Sequence, residues 1–136
     1  MTKYNKGIRT FYVLLGGLSL LLMASFTTYK SCKTANVNTL FIKEQIQLAI
    51  EATDFEKSKY YTFKALKAMY TTKKNFKDCG CDDASKQLNL AEQNLKNVVR
   101  SEGMEDAKTF LDIGIKNMNI CLQVLEQFDE NQANTS

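Results

Sequence analysis

Beyond residue 32, apolar residues recur along the chain at spacings of three and four, the pattern of helices that bury one face. This pattern predicts four helices, over about residues 35–52, 54–78, 83–101 and 104–129. The sequence contains no proline, and only Gly80, Gly103 and Gly114 interrupt this region. Because alternating strand patterns are absent, we predict an all-α fold, an antiparallel up-down four-helix bundle.

The apolar stripe of each predicted helix supplies the candidate core. The fourth helix has the most regular stripe, which consists of Met104, Ala107, Leu111, Ile115, Met118, Leu122, Leu125 and Phe128. The candidates of the first helix are Val37, Phe41, Ile42, Ile46, Leu48, Ala49 and Ile50. Those of the second are Phe63, Leu66, Met69, Tyr70 and Phe76, and those of the third are Leu88, Ala91, Leu95, Val98 and Val99.

The breaks between helices contain residues that suit helix ends. Thr53 and Glu56 have the spacing of a capping box, with Thr53 as the N-cap of the second helix. Gly80 follows that helix, where a left-handed residue is favoured. Asp82 and Asp83 are candidate caps of the third helix, whose N-terminus favours negative charge.

A shift of 49 residues relates the two halves of this region. It aligns Cys32 with Cys81, Ala35 with Ala84, Ile46 with Leu95, and Met69 with Met118. Repeats of this length are typically one helical hairpin each. We therefore predict two stacked hairpins in one domain, residues 32–80 and 81–130, and a frayed polar tail, residues 131–136.

The N-terminal residues indicate export. Residues 1–10 contain Lys3, Lys6 and Arg9 but no acidic residue, and an apolar stretch follows over residues 11–26. This order is typical of a signal peptide, which we assign to residues 1–26, and the apolar stretch is shorter than the roughly 20 residues of a spanning helix. Because no regular cleavage motif follows, an uncleaved anchor over residues 11–26 is the alternative. The remainder is predicted to be secreted or periplasmic.

Composition and charge narrow the possible functions. Histidine is absent, which removes the commonest general base and metal ligand, and no cluster of other reactive residues replaces it. We therefore predict a protein that is not an enzyme and has no cofactor. The formal net charge is +3, but residues 32–136 have 14 basic and 15 acidic residues, so nucleic acid is not an expected partner. Residues 32–80 have a net charge of +4 and residues 81–136 of −5, which favours docking of the hairpins only weakly if the charges are exposed.

Four cysteines, Cys32, Cys79, Cys81 and Cys121, follow the predicted signal peptide, and an even number in an exported domain implies disulfides. A Cys79–Cys81 bond would close a small, strained ring. Cys32 and Cys79 lie at similar distances from the first turn, and so do Cys81 and Cys121 from the second. We therefore predict the disulfides Cys32–Cys79 and Cys81–Cys121. The alternative is that Cys79-Gly80-Cys81 binds a soft metal or exchanges disulfides.

Two resemblances accompany these patterns. Residues 79–84 resemble the Cys-Gly-Cys-Asp-Asp-Ala junction of small exported bacterial helical-hairpin proteins, which implies the hairpin architecture and no particular activity. Asp106-Ala107-Lys108-Thr109-Phe110-Leu111, with Asn117 and Cys121, is similar to the last helix of plant invertase and pectin methylesterase inhibitors, and the Cys81–Cys121 interval resembles their second disulfide. That similarity covers residues 79–128, and the closely spaced first cysteine pair of the family is missing. It implies an exported four-helix bundle.

The chain is predicted to act by binding, as a non-catalytic protein-binding or structural module. Lys57, Tyr60, Tyr61 and Lys64 lie in the first turns of the second helix, and tyrosine and lysine suit a surface that binds another protein. The alternative for these residues is that one tyrosine packs in the core and the others cover it. Membrane contact is expected only through the N-terminal segment.

Two other functions are alternatives. The plant resemblance implies an inhibitor of a secreted carbohydrate-active enzyme. The second alternative is a carrier of metal or a small ligand, at the Cys79–Cys81 junction or within the bundle. The aromatic residues that could line such an internal cavity are Phe55, Tyr61, Phe63, Tyr70, Phe76, Phe110 and Phe128.

Overall fold

The computed structural model describes residues 32–135, so the predicted signal peptide and Ser136 lie outside the described residues. Four helices follow one another: α1 (Lys33–Glu51), α2 (Phe55–Cys79), α3 (Asp82–Arg100) and α4 (Met104–Thr135). Each helix packs against the two that adjoin it in a ring, and α2 and α4 touch only slightly across the centre. The structure confirms the predicted all-α bundle of two hairpins, which we call hairpin 1 (α1 and α2) and hairpin 2 (α3 and α4).

The repeat predicted from the sequence is present in the structure. The first residues of α1 and α2 and the last residue of α1 each have a counterpart 49 residues later in α3 and α4. Apart from Gln45, the buried positions of α1 and α2 also become those of α3 and α4 after the same shift. The two hairpins therefore have one helical framework and one pattern of burial.

Most core candidates are buried or half-buried, but four of them are exposed: Val37, Phe41, Phe63 and Tyr70. For these four, the prediction was wrong. The buried stripe of α2 instead contains Ser58, Thr62 and Thr72, whose hydroxyls donate hydrogen bonds to backbone carbonyls of Ala49, Ser58 and Ala68. A hydroxyl satisfied in this way is tolerated inside a protein, so apolarity alone misplaced the inner face of α2.

Two helix ends differ from the predictions. The N-cap of α2 is Asp54, not Thr53, and the Asp54 carboxylate accepts a hydrogen bond of 2.8 Å from the backbone N–H of Lys57. The predicted polar tail is helical as far as Thr135, rather than frayed. Just before this extension, the Asp129 carboxylate accepts a hydrogen bond of 3.3 Å from the backbone N–H of Cys32, which precedes α1.

Gly80 ends α2 as predicted. Its φ of 80° is left-handed, and its N–H donates a hydrogen bond of 2.8 Å to the Phe76 carbonyl. This conformation is favourable only for glycine among common residues, and it lets the chain reverse between the hairpins. Among the four helices described, none is long and apolar enough to cross a membrane.

Candidate functional site

Three of the four cysteines lie at the end of the bundle where α1 and α3 begin. The fourth, Cys121, lies deeper in the bundle. Cys32 and Cys79 form a disulfide whose Cα atoms are 5.4 Å apart, as their similar distances from the first turn predicted. This bond holds the start of α1 against the end of α2.

The second predicted disulfide is not formed. Cys81 and Cys121 are both buried, and their thiols are free. The repeat explains the difference. Cys81 is the counterpart of Cys32, but the counterpart of Cys79 is Phe128, and Cys121 corresponds to Thr72. Cys121 therefore lies seven residues, or about two helical turns, before the position that faces Cys81.

Both free thiols are held in the protonated form. Burial raises the pKa of Cys121 to about 12, with a further contribution from Cys81, and its thiol donates a hydrogen bond of 3.3 Å to the Ala84 carbonyl. Burial also raises the pKa of Cys81, and Asp82, Asp83 and Asp129 add to the effect. Because the thiolate is the form that attacks disulfides and binds metals, these two residues are poor candidates for either chemistry.

The Cys79-Gly80-Cys81 junction does not supply a pair of thiols, since Cys79 is already bonded to Cys32. Over residues 32–135, no group of three or more histidine, cysteine, aspartate or glutamate side chains is placed to hold a metal ion. The internal-cavity alternative is weakened too, because Phe63 and Tyr70 lie on the outside and only Phe76 of that aromatic set is fully buried. The outer surfaces of the helices are therefore better candidates for a functional site.

The predicted binding residues are brought together on the outside of α2, with one exception. The rings of Tyr60 and Tyr61 meet edge to face at 5.4 Å, and the Lys64 ammonium lies 5.5 Å from the Tyr60 ring centre. Lys57, Tyr60 and Lys64 are exposed, whereas Tyr61 is half-buried and packs against the core. The alternative in which one tyrosine packs inward therefore describes Tyr61.

The structure adds residues to this surface that the sequence pattern had assigned to the core. Tyr70 is 84% exposed, Tyr60 59% and Phe63 54%, so three large rings of this helix face outward. We define the α2 face as the exposed residues Lys57, Tyr60, Phe63, Lys64, Lys67, Tyr70, Thr71 and Lys74. The signal that could have located it is the absence of any acidic residue between Glu56 and Asp78, a stretch with seven lysines.

The positive charge of the α2 face is largely uncompensated. At its margins, Lys59 pairs with Glu56 at 2.8 Å, and Lys73 pairs with Glu92 of α3. In the described part of the chain, Lys64, Lys67 and Lys74 have no carboxylate within ion-pair distance. The face thus combines ammonium groups and phenol hydroxyls with flat apolar rings. The ammonium and hydroxyl groups can donate hydrogen bonds to a negatively charged ligand, and the rings supply contact area.

A shallow groove of about 440 Å³ runs beside the α2 face, between α1 and α2. Phe41 lies on its α1 side, and Lys64, Lys67, Ala68 and Thr71 lie on its α2 side. Its walls are side chains of two helices that the Cys32–Cys79 bond joins. It extends the aromatic and basic character of the face towards α1.

Comparison of the chain with protein-family models, with curated proteins and with solved structures gave no match. The resemblance to plant inhibitors thus stays a prediction that rests on residues 79–128 alone. The chemistry of the α2 face is therefore the feature that bears most directly on function.

Proposed function

We propose that this protein is a non-catalytic binding module and that the α2 face docks an acidic partner protein. The observation that carries the proposal is the stretch from Lys57 to Lys77, in which seven lysines and three exposed aromatic rings stand without one acidic residue. Aromatic residues supply contact area at the centre of protein interfaces, and uncompensated charge steers a partner of opposite sign.

The rigidity of the surface supports the same function. The α2 face projects from one helix of 25 residues, whose far end is bonded to the start of α1 through Cys79. A surface that is fixed before binding loses less conformational entropy when a partner docks. A covalently closed bundle with an exposed basic and aromatic helix is therefore suited to recognition rather than to enclosing a small molecule.

We further infer that the protein acts outside the cytoplasm. Disulfides persist in oxidising compartments and are rare in the cytosol, and the Cys32–Cys79 bond fits the former. The basic and apolar pattern of residues 1–26, which lies outside the described residues, agrees with this compartment. Acidic proteins of the same compartment are the expected partners.

Photo-crosslinking in the cell that makes the protein tests the proposal. A photoreactive phenylalanine analogue replaces Tyr70 on the α2 face, and in a matched chain it replaces Val37, an exposed residue of α1. We expect a protein adduct from position 70 and little from position 37. Adding Lys64→Glu and Lys67→Glu should reduce the yield at position 70 by about tenfold, because like charges repel an acidic partner.

Two results would contradict the proposal. Equal yields at positions 70 and 37, or a yield at position 70 that the two charge reversals leave unchanged, would contradict a specific docking role for this face. Circular dichroism of each purified variant shows whether the helices are intact, so a loss of adduct cannot be confused with unfolding.

A further inference from the structure

The residues of the α2 face lie in three rows along the helix. Members of a row are seven residues apart, and the rows are Lys57, Lys64 and Thr71, then Tyr60, Lys67 and Lys74, then Phe63 and Tyr70. Because seven residues bring an α-helix almost back to the same direction, each row runs nearly parallel to the helix axis. The face is therefore a long, narrow strip, about 26 Å from its first lysine to its last.

Carboxylates of the neighbouring helices do not compensate the lysines of the α2 face. On α3, Glu92 pairs with Lys73 and Lys96, neither of which belongs to the face. On α1, the exposed acidic residues are Glu44 and Glu51, and in the described part of the chain neither forms an ion pair with α2. The four lysines of the face are therefore available to carboxylates of another molecule.

Apolar surface accompanies these lysines. Tyr60 and Phe63 are exposed on α2 itself, and Phe41 of α1, which is 41% exposed, lines the groove together with Lys64 and Lys67. The part of α2 that lines this groove extends over about two helical turns. A ligand that complements this surface therefore has apolar side chains as well as negative charges.

The corresponding surface of hairpin 2 lacks the basic rows. Three of the four lysines have counterparts of another kind in the repeat, and these are Asp106, Ile113 and Gln123. Only Lys67 has a lysine as its counterpart, Lys116. Since both hairpins have one pattern of burial, the helical framework does not require basic rows, and their presence on α2 favours a role in binding.

From this arrangement we propose that the acidic partner presents an amphipathic helix, which lies lengthwise on α2 and over the groove. The inference rests on the proposed function and specifies the segment of the partner that makes contact. Its carboxylates would lie beside the lysine rows, and its apolar side chains would cover Phe41 and Tyr60. Side chains that repeat every seven residues are the pattern by which one helix packs along another, and an amphipathic helix in a groove is a recurrent mode of recognition.

Two other anionic ligands fit the surface less well. A flexible acidic chain supplies negative charge but no apolar side chains for Phe41, Tyr60 and Phe63. An anionic bilayer is broad. The net positive charge, in contrast, is one helix wide, because α1 and α3, on either side of α2, each contain equal numbers of basic and acidic residues. Both ligands are outcomes that the experiment separates.

Binding of a designed peptide to the full-length, disulfide-bonded protein tests the proposal. The labelled peptide has about 21 residues, three heptads with leucine at two positions and glutamate beside them. A scrambled peptide of the same composition and a peptide with a central proline, which breaks the helix, are compared with it. Fluorescence anisotropy should show that the amphipathic peptide binds about tenfold or more tightly than either, and circular dichroism should show that it gains helix on binding.

Charge reversals in the protein locate the peptide. Lys64→Glu with Lys67→Glu should weaken binding by about tenfold or more, because the new carboxylates repel the peptide. The matched control is Lys108→Glu with Lys116→Glu, which reverses two exposed lysines of α4. It should change the affinity by less than about twofold at physiological salt, where distant charges are screened.

A second pair of variants tests the apolar contact in the groove. Phe41→Ala should weaken binding by about threefold or more, since apolar contact area is lost. Its repeat counterpart, Leu90, is exposed on hairpin 2, and Leu90→Ala should leave the affinity unchanged. Circular dichroism of every variant shows whether the helices are intact, so weaker binding cannot be confused with unfolding.

Several results would overturn the acidic helix but not the proposed function. If the scrambled peptide binds as tightly as the amphipathic one, the face recognises negative charge alone. If no peptide binds, or if the control variants weaken binding as strongly, the helix does not lie on this face. In each case the docking role stands as long as position 70 crosslinks to a protein in the cell and the two charge reversals on α2 reduce the yield.

Binding to lipid would overturn both proposals. In that case the protein sediments with phosphatidylglycerol vesicles, the variant with Lys64→Glu and Lys67→Glu does not, and no protein adduct forms from position 70.

Discussion

Hairpin 1 and hairpin 2 share helix bounds and buried positions, but they fill those positions differently. The buried polar residues of the described chain are Thr39, Gln45, Ser58, Thr62 and Thr72, and all of them belong to hairpin 1. In hairpin 2 the counterparts of Thr39, Thr62 and Thr72 are Leu88, Leu111 and Cys121. Hairpin 1 therefore gains less from apolar burial, and it is the hairpin that has the disulfide. The comparison suggests that a covalent bond compensates for the more polar interior.

The outer surfaces differ as strongly as the interiors. The exposed positions that are basic and aromatic on α2 are mixed in charge on α4, where Asp106 and Asp112 lie among Lys108, Lys116 and two isoleucines. A buried position has to fit its neighbours within the bundle, whereas an exposed one is free to vary without loss of the fold. The two halves of the repeat thus share one pattern of burial but have different outer surfaces.

Removal of the disulfide should have the largest effect on the difference between the hairpins. Cys32→Ala with Cys79→Ala opens a loop with a sequence separation of 47, which lowers the free energy of unfolding by about 4 kcal/mol. Urea unfolding measures this loss, and hydrogen exchange should show that amides of α1 and α2 lose protection before those of α3 and α4.

The matched control is Cys81→Ala with Cys121→Ala, which removes two buried sulfurs but no covalent bond. If the two double variants are destabilised equally, the disulfide does not compensate for the polar interior of hairpin 1.

Exchange of residues between repeat positions should have the next largest effect. Leu111 is fully buried, and Leu111→Thr gives it the side chain of its counterpart Thr62, at a cost of about 3 kcal/mol from lost burial and an imperfectly filled space. Thr62→Val, which keeps the shape but removes the hydroxyl, should change the free energy of unfolding by less than about 1 kcal/mol. Thermal or urea unfolding compares the two, and equal losses would show that the interiors are not specialised.

The free thiol of Cys121 should make hairpin 2 sensitive to alkali. Because burial raises the pKa of Cys121 from 9.0 to about 12, the unfolded chain loses this proton first as the pH rises. The stabilisation is complete below pH 9 and is lost between pH 9 and about 12, by up to about 1.4 kcal/mol per pH unit. Unfolding of the native protein and of Cys121→Ala, measured over this range, isolates the thiol. Parallel curves would contradict the raised pKa.

The ion pair between Lys73 and Glu92 joins the two hairpins and should have the smallest effect. Burial acts to raise the pKa of Glu92, but the hydrogen bonds and charges of Lys73 and Lys96 outweigh it and hold the pKa below its usual range. The pair therefore stabilises the fold above the usual carboxyl pKa, and this contribution disappears as the pH falls through the lowered value.

Lys73→Met should cost less than about 1 kcal/mol near neutral pH and still less in acid, since both side chains are partly exposed. Lys86→Met breaks an exposed pair within α3 and serves as the control. A cost for Lys73→Met that is the same at neutral and acid pH would show that packing of the long side chain, rather than charge, accounts for it.

Much of the fold follows from local patterns. The helices came out within a few residues of the predicted bounds, except where α4 continues to Thr135, and Gly80 took the expected left-handed conformation. The Cys32–Cys79 bond was predictable because both residues lie at similar distances from one turn. The Cys81–Cys121 prediction failed because Cys121 lies two helical turns before the position that faces Cys81. Phe128, the counterpart of Cys79 in the repeat, occupies that position.

The composition of the sequence by itself determined a Gly-poor, Pro-free helical chain, and its periodicity determined four helices in two related hairpins. Only the tertiary structure decided which side of α2 faces inward. Helical spacing alone allows an inner side with the apolar Phe63 and Tyr70 or one with the hydroxyl residues Thr62 and Thr72. Packing decides between the two sides, because helices approach closely only where side chains are small. A threonine hydroxyl on the inner side can donate to its own helix backbone. The large rings were left outside, and they form the surface on which the proposed function rests.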